Sequence, residues 1–279
     1  MRIFSRTQKS GAKFYYSVSA DEFESVLEMP DGKNPDQNAW LTITANYTLN
    51  FVDSKNQLPG VTITQDGKFF AMDSNKTPVL FPISDWDVSS RSEFVKKFAK
   101  GESFWNYKFL LITPPDYDGF DYTTFSGPGW ICRPNVICLF RLKSGGTPNH
   151  LAINVVRTGD EKFRSEMRLY DDQDVNHKTL WHELGHALDQ LHIKALLGDP
   201  KCLVDTNADG CYVEPPGVPP NIQGSGIGLL PQNAKAWHEL IAAHTGTSQL
   251  KWIVSMATGR TARKMPMGFD VRGVMPAKW

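Results

Sequence analysis

Residues 181–189 have the sequence Trp-His-Glu-Leu-Gly-His-Ala-Leu-Asp, and the interpretation of the whole chain starts from this stretch. It lies within a run of helix-forming residues from 180 to 197, which predicts a helix. Side chains four residues apart on a helix lie one above the other, so His182 and His186 present two imidazoles to one point. Two such nitrogens are half of a tetrahedral zinc shell.

Glu183 completes an HExxH pattern with these two histidines. It follows the first histidine directly, which places its carboxylate beside the expected metal without making it a ligand. Zinc lowers the pKa of a bound water toward neutrality, and a neighbouring carboxylate then removes the proton as a general base. The pattern therefore predicts a zinc-dependent hydrolase with Glu183 as its catalytic base. Asp189, about two turns after His182 on the same face, is placed to orient an imidazole.

The stretch 181–189 resembles the active-site helix of the zincin metallopeptidases. The resemblance covers about one helix of the chain. It implies a zincin-like α+β catalytic domain with a mixed sheet, and hydrolysis of peptide bonds in a polypeptide substrate. It also implies a group that stabilises the oxyanion of the reaction, for which Tyr212 is our candidate.

Two branches of the zincins differ in their third ligand, and the metzincin branch has the pattern HExxHxxGxxH. His192 occupies the position of the third histidine in this pattern, whereas Asp189 stands where metzincins have glycine. That glycine lets the chain turn sharply out of the helix, and aspartate tolerates such a backbone better than most residues. Metzincins also have a methionine turn beneath the metal, for which Met256 is a loose candidate.

The competing lethal-factor-like and gluzincin branch takes a glutamate from a later helix, and Glu239 is the matching residue here. The choice depends on whether the motif helix is continuous. In an unbroken helix His192 points about 80° away from His182 and about 120° away from His186, so it cannot bind the same metal. The apolar stripe favours a continuous helix; it runs through Leu184, Leu188, Leu191 and Ala195. We predict that the helix bends or ends near Asp189 and that His192 is the ligand, with Glu239 as the alternative.

The rest of the chain predicts an α+β organisation. Between 41 and 51, apolar residues alternate with threonine and asparagine, which is typical of a half-buried strand. Further strands are predicted at 13–18, 61–72, 107–113 and 151–156, a hairpin at 132–141, and helices at 91–100 and 232–244. We expect a β-rich N-terminal part at 1–88 and a zincin-like catalytic domain at 89–279, with a single domain as the alternative.

Composition limits the partners. The chain of 279 residues has 30 basic and 30 acidic side chains, so its net charge is zero. No overall field attracts nucleic acid, and no apolar run reaches the length of a membrane span. Residues 1–6 are partly basic but are not followed by an apolar stretch, so no secretory signal is predicted in this chain.

The four cysteines form two local pairs, Cys132 with Cys138 and Cys202 with Cys211. They are either unrelated buried thiols or two short-loop disulfides, and disulfides imply an oxidising compartment. We predict the two disulfides and a secreted or exported protein. A secreted bacterial toxin or effector metallohydrolase and a non-catalytic zinc-binding module are the alternative functions.

A second ion site is possible at 205–210, within a long loop from 198 to 228. Asp205, Asn207 and Asp209 alternate before Gly210, as oxygen ligands do in calcium loops. The glutamate that usually closes such a loop is absent, since Pro216 takes its position. The alternative is an ordinary polar turn closed by Cys202 and Cys211.

Overall fold

A computed structural model describes most of the chain. The described residues are 5–9, 15–20, 23–28, 38–55, 58–73, 75–117, 130–132, 135–159, 163–176, 178–205, 207–208, 210–256 and 274–276. For 5–9, 15–20, 130–132, 176 and 274–276, only the backbone is described. Helices occur together with a mixed sheet and separate antiparallel sheets, which confirms the predicted α+β class.

The elements are numbered in chain order. The strands are β1 (Ser5–Lys9), β2 (Tyr15–Ala20), β3 (Phe23–Glu28), β4 (Ala39–Phe51), β5 (Thr62–Ile63), β6 (Lys68–Met72), β7 (Pro78–Pro82), β8 (Phe109–Ile112), β9 (Trp130–Cys132), β10 (Val136–Ser144), β11 (Leu151–Val156), β12 (Leu169–Asp171), β13 (Ile253–Met256) and β14 (Val274–Pro276). The helices are α1 (Val88–Ala99), α2 (Lys178–Ala187), α3 (Ile193–Leu196), α4 (Pro200–Val204) and α5 (Lys235–Thr245).

The chain divides into two compact units. The first contains residues 1–44, 105–141 and 229–279. In it, β1, β2, β3 and the start of β4 pair antiparallel in sequence order, and β8 pairs antiparallel with both β10 and β13. Helix α5 lies against β2 and β3.

The second unit contains residues 45–104 and 142–228. Here the end of β4 pairs with β11, and β11 pairs with β12, both in parallel. Strands β5, β6 and β7 form a separate antiparallel sheet. A buried apolar cluster includes Val52, Phe69, Phe81, Val156 and Phe163. Whether a domain ends near residue 88, as the sequence predicts, stays a prediction.

The predicted alternation in β4 is confirmed from 41 to 45, whereas Asn46 is buried and Leu49 and Phe51 are only partly buried. Leu41, Ile43, Ala45 and Tyr47 are all buried, whereas Thr42 and Thr44 between them are only partly buried. This is the pattern of a strand whose one face covers a core.

Helix α2 packs closely against the short 3-10 turn Lys100–Phe104. Gly101 permits the close approach, because a Cβ at this position would lie 2.6 Å from Leu184 Cδ1 and 2.9 Å from Leu180 Cδ2. The Trp181 ring stacks on Phe104 with ring centroids 4.6 Å apart. These contacts fix the apolar face of α2, whose histidines line a cavity.

The hairpin predicted at 132–141 is wrong. Strand β9 pairs with β14, whereas β10 pairs with β8, so the two strands are not partners. Cys138 is a free and fully buried thiol, and the predicted disulfide between Cys132 and Cys138 is therefore wrong. The side chain of Cys132 lies outside the described residues.

The second predicted disulfide is confirmed. Cys202 and Cys211 are bonded, with their Cα atoms 5.7 Å apart. Within the described part of the chain, no helix has both the length and the apolar character needed to cross a membrane.

Candidate metal site

The motif helix ends before its sequence pattern ends. Helix α2 stops at Ala187, and Asp189 has a left-handed backbone with φ of 60°. The Gln190 N–H donates to the Gly185 carbonyl and the Asp189 N–H donates to the His186 carbonyl. These are the two hydrogen bonds of a Schellman motif, with Asp189 as the left-handed residue. The predicted end of the helix near Asp189 is confirmed.

This turn brings His192 back toward the helix. One possible ligand atom from each of His182, His186 and His192 lies within 4.8 Å of the other two. The ring centroid of His192 is 5.4 Å from that of His182 and 4.8 Å from that of His186. The three side chains form a group that could hold a metal ion, and His192 is only 3% exposed.

Backbone carbonyls fix the tautomers of the two helix histidines. His182 Nδ1 lies 2.8 Å from the Ile222 carbonyl oxygen, and His186 Nδ1 lies 2.7 Å from that of Gln190. A carbonyl oxygen only accepts, so both Nδ1 atoms carry the proton and both Nε2 atoms of the neutral rings are bare. The two Nε2 atoms are 3.2 Å apart.

Two unprotonated nitrogens at this distance repel each other unless a cation lies between them. A proton is disfavoured there: burial, followed by the neighbouring His186, lowers the pKa of His182 to about 3, and burial also lowers the pKa of His186. A metal ion fits, because two nitrogens bound to tetrahedral zinc at 2.0–2.1 Å are about 3.3 Å apart. The donor set therefore matches a zinc-type cation, and carbonyls that hold the outer ring nitrogens are the usual support of such a site.

Glu183 is buried beside these histidines and is 7% exposed. Burial, with a smaller contribution from Glu166, raises the pKa of Glu183 to about 8, while Arg164 opposes the shift. A divalent cation held by the histidines would also lower this pKa, since nearby positive charge favours the carboxylate. The charge of Glu183 would therefore respond to a metal ion held by the histidines.

Tyr212 lies against the histidines. Its ring centroid is 3.7 Å from that of His192 and 6.2 Å from that of His182. Arg164 Nη2 donates to the Tyr212 hydroxyl at 2.6 Å, and the hydroxyl is 3.2 Å from Asn207 Oδ1. Burial raises the pKa of Tyr212, and Arg164 partly offsets this.

These groups line one cavity of about 900 Å³, entirely within the second unit. Acidic and basic side chains share its wall with Phe163, Met167 and Ile222. Among the acidic groups is Asp174, whose carboxylate accepts a hydrogen bond from Ser165. A cavity of this size accommodates several residues of an extended ligand.

The segment 210–228 supports the histidines from outside the motif. Glu214 accepts hydrogen bonds from the backbone N–H groups of Asn221 and Ser225, both at 2.8 Å. Between them, Ile222 holds His182 through its carbonyl, and Gln223 Nε2 donates to the backbone carbonyl of His182 at 3.0 Å. This turn, with a fully buried Gln223, contacts His182 of the candidate metal site.

Sequence reasoning missed most of these supporting groups. Arg164, Gln190, Glu214 and Gln223 belong to no motif, and two of the acceptors are backbone carbonyls. The residues Asn221 and Gly224 are typical of a turn, which is the one local signal that the sequence offers here. The expectation that the Asp189 carboxylate orients an imidazole is wrong for His182 and His186, since carbonyls hold both Nδ1 atoms.

The alternative residues Glu239 and Met256 belong to the first unit. Glu239 belongs to α5 in the first unit and pairs with Lys235 at 3.9 Å. Among the described residues, the group of nearby ligand atoms contains His192 and does not contain Glu239. Met256 ends β13 in the first unit and is 40% exposed, and a methionine turn at this residue stays a prediction.

The proposed calcium loop is only partly described. The Asn207 N–H donates to Asp205 Oδ1, which makes a local polar turn, and Cys211 is bonded to Cys202. Asp209 lies outside the described residues. Calcium binding by Asp205, Asn207 and Asp209 stays a prediction.

No family model, curated protein or solved structure matches this chain.

Proposed function

We propose that the chain is a zinc-dependent metallopeptidase of the zincin type, with His182, His186 and His192 as ligands and Glu183 as the general base. The observation that carries the proposal is the pair of bare Nε2 atoms of His182 and His186, 3.2 Å apart. This arrangement leaves a cation as the group that satisfies both nitrogens, and Glu183 lies next to them in the chain.

The donor set favours a catalytic metal over a structural one. Three imidazoles leave one position of a tetrahedral ion open, as catalytic zinc sites do, whereas structural sites are closed by four protein ligands. When bound, zinc would polarise a substrate carbonyl and make water a stronger acid. Glu183 would then accept the proton from the attacking water and pass it to the leaving amine. A purely structural site has no need of this carboxylate.

The cavity supports a polypeptide as substrate. Its volume of about 900 Å³ exceeds that of a single side chain, and its wall combines apolar groups with Arg164 and Glu166. The Cys202–Cys211 disulfide supports action in an oxidising compartment, and we propose that the protein is secreted or exported. A role as a secreted toxin or effector is compatible with this chemistry.

Metal content tests the first half of the proposal. Purified protein should contain one zinc per chain by elemental analysis, and a His182→Ala, His186→Ala double variant should contain none. His238→Ala is the matched control, because His238 contacts the Trp252 carbonyl in the first unit. Equal zinc in the wild type and the double variant would rule out the site.

Substitution of Glu183 tests the second half. Glu183→Gln should retain zinc but hydrolyse dye-labelled casein about 10²–10⁴-fold more slowly, because it lacks the general base. Glu93→Gln, on the exposed side of α1, is the control and should match the wild type. Near-native turnover by Glu183→Gln would favour a different role for the site.

A further inference from the structure

We infer that Arg164 is a positioning residue that fixes the Tyr212 hydroxyl as a hydrogen-bond donor to the oxyanion of the reaction, an inference that rests on the proposed function. The two residues come from distant parts of the second unit. Neither belongs to the HExxH stretch, and Arg164 has no sequence signal of its own.

The position of Tyr212 is suited to the oxyanion. Its ring contacts His192, and its side chain lines the same cavity as Glu183 and the helix histidines. A carbonyl oxygen that gains negative charge next to the metal would therefore develop that charge near this hydroxyl. A preorganised donor aimed at such a charge is a major source of catalysis.

Arg164 determines which way the hydroxyl proton points. The guanidinium has only donors, so in the 2.6 Å contact the Tyr212 oxygen accepts. The single hydroxyl proton must then point elsewhere, and here it faces Asn207 Oδ1 at 3.2 Å. A charged donor polarises the O–H bond, which makes Tyr212 a better donor to a neighbouring anion. The longer bond to Asn207 is the one that the oxyanion would replace, and Tyr212 keeps its proton throughout.

Both partners are held by their backbones. The Arg164 N–H donates to the Met72 carbonyl at 2.8 Å, and the preceding Phe163 is buried in the apolar cluster of this unit. On the other side, Cys211 is bonded to Cys202, and its carbonyl accepts from the Lys194 N–H at 3.2 Å. The hydroxyl and the guanidinium therefore meet between two anchored segments. Arg164 Cζ also lies over the Tyr212 ring, 5.7 Å from its centroid, which adds a cation–π contact.

The test compares a tetrahedral anion with the substrate. The cobalt(II)-substituted protein is titrated with a phosphinic dipeptide, whose tetrahedral anion mimics the attacked carbonyl, and binding is followed in the visible spectrum. Tyr212→Phe should weaken this binding and lower kcat on dye-labelled casein by about 10²-fold, with little change in KM. Arg164→Gln should lower the affinity for the phosphinic dipeptide and kcat by about 10-fold each. Arg164→Lys should recover part of both losses.

A double variant separates positioning from a general structural effect. If Arg164 acts through Tyr212, the Arg164→Gln, Tyr212→Phe variant should bind the phosphinic dipeptide no more weakly than Tyr212→Phe alone. Asn207→Ala should bind it as well as the wild type or better, because a competing acceptor is gone. Arg168→Gln and Tyr117→Phe, which do not line the cavity, are the controls.

Three results would each overturn the inference. The losses of dipeptide affinity could add in the double variant, Arg164→Gln could bind the dipeptide as tightly as the wild type, or Arg164→Gln could fail to bind cobalt. If the wild type binds cobalt and the dipeptide, and the variants weaken dipeptide binding as expected, but no peptide is cleaved, the inference stands and the peptidase proposal fails. A wild type that binds no cobalt overturns both.

Discussion

The two sides of the candidate metal site are built in opposite ways. Helix α2 places His182, Glu183 and His186 by regular backbone geometry alone. The segment 210–228, which we call the support loop, places Tyr212 and the Ile222 carbonyl on irregular backbone that Glu214 holds in shape. The comparison indicates that helical spacing brings the candidate groups together, whereas the support loop fixes the orientation of His182, and Gln190, outside both, fixes that of His186.

The largest effect should come from the residue that joins the two sides, His192. It follows α2 after the Asp189 turn and contacts Tyr212 of the support loop. His192→Ala removes a proposed metal ligand and should lower zinc affinity by more than the 10–100-fold typical of losing a supporting contact. Glu239→Ala should leave the affinity unchanged. The measurement is a competition titration against a chelator of known affinity.

The reverse result would contradict the role of His192 as the residue that joins the helix and the support loop. If Glu239→Ala loses zinc and His192→Ala keeps it, the third ligand comes from α5, and the glutamate branch of the zincins is the right one. In that case the Asp189 turn would serve packing rather than metal binding. Circular dichroism of both variants checks that each is folded.

An intermediate effect is expected in the support loop, where Glu214 is the central residue. Burial raises the pKa of Glu214, but hydrogen bonds from Asn221 and Ser225 outweigh this and hold it below its usual value, so the group is a carboxylate. Glu214→Gln replaces the charged acceptor of both backbone N–H groups with a neutral amide oxygen, which accepts more weakly, and should loosen the turn that carries Ile222. We expect zinc affinity to fall by about 10-fold, at the lower end of the range for supporting groups.

A matched variant sharpens this result. Ser225→Ala removes only the hydroxyl that donates to Glu214 Oε2 and leaves both backbone contacts. It should therefore lower zinc affinity less than Glu214→Gln. Equal zinc affinity in Glu214→Gln and the wild type would show that α2 orients its histidines without the loop.

The difference between helix and loop also explains what the sequence can predict. His182 and His186 are predictable because helical spacing fixes their relation, and β4 is predictable because alternation marks its buried face. The carbonyls of Ile222 and Gln190 are not, since every residue has a carbonyl and residue type carries no signal for its direction. Arg164 reaches Tyr212 through tertiary packing alone.

The position of His192 could be predicted from the sequence only in part. The apolar stripe through Leu191 and Ala195 favours one continuous helix, yet Ala195 lies in the short helix α3 and Leu191 lies in the connection before it. Ala195 is buried with Cys202 and Cys211, and Leu191 packs against the same cluster. Apolar periodicity thus persists across a turn that changes the direction of the chain, so the pattern could not decide between a straight and a broken helix.

The smallest effect should come from Asp189 itself, where the turn is made. A left-handed backbone costs an ordinary L-residue about 1–2 kcal/mol, whereas glycine and asparagine adopt it readily. Asp189→Ala should therefore lower the free energy of unfolding by about 1 kcal/mol, and Asp189→Gly and Asp189→Asn should stay close to the wild type. Denaturant unfolding of the three variants measures this order. Asp189→Asn should lower zinc affinity far less than His192→Ala, because carbonyls rather than this carboxylate hold the helix imidazoles. A marked loss of zinc in Asp189→Asn would mean that the charge of Asp189 supports the metal, and the helix side would then orient its own ligands.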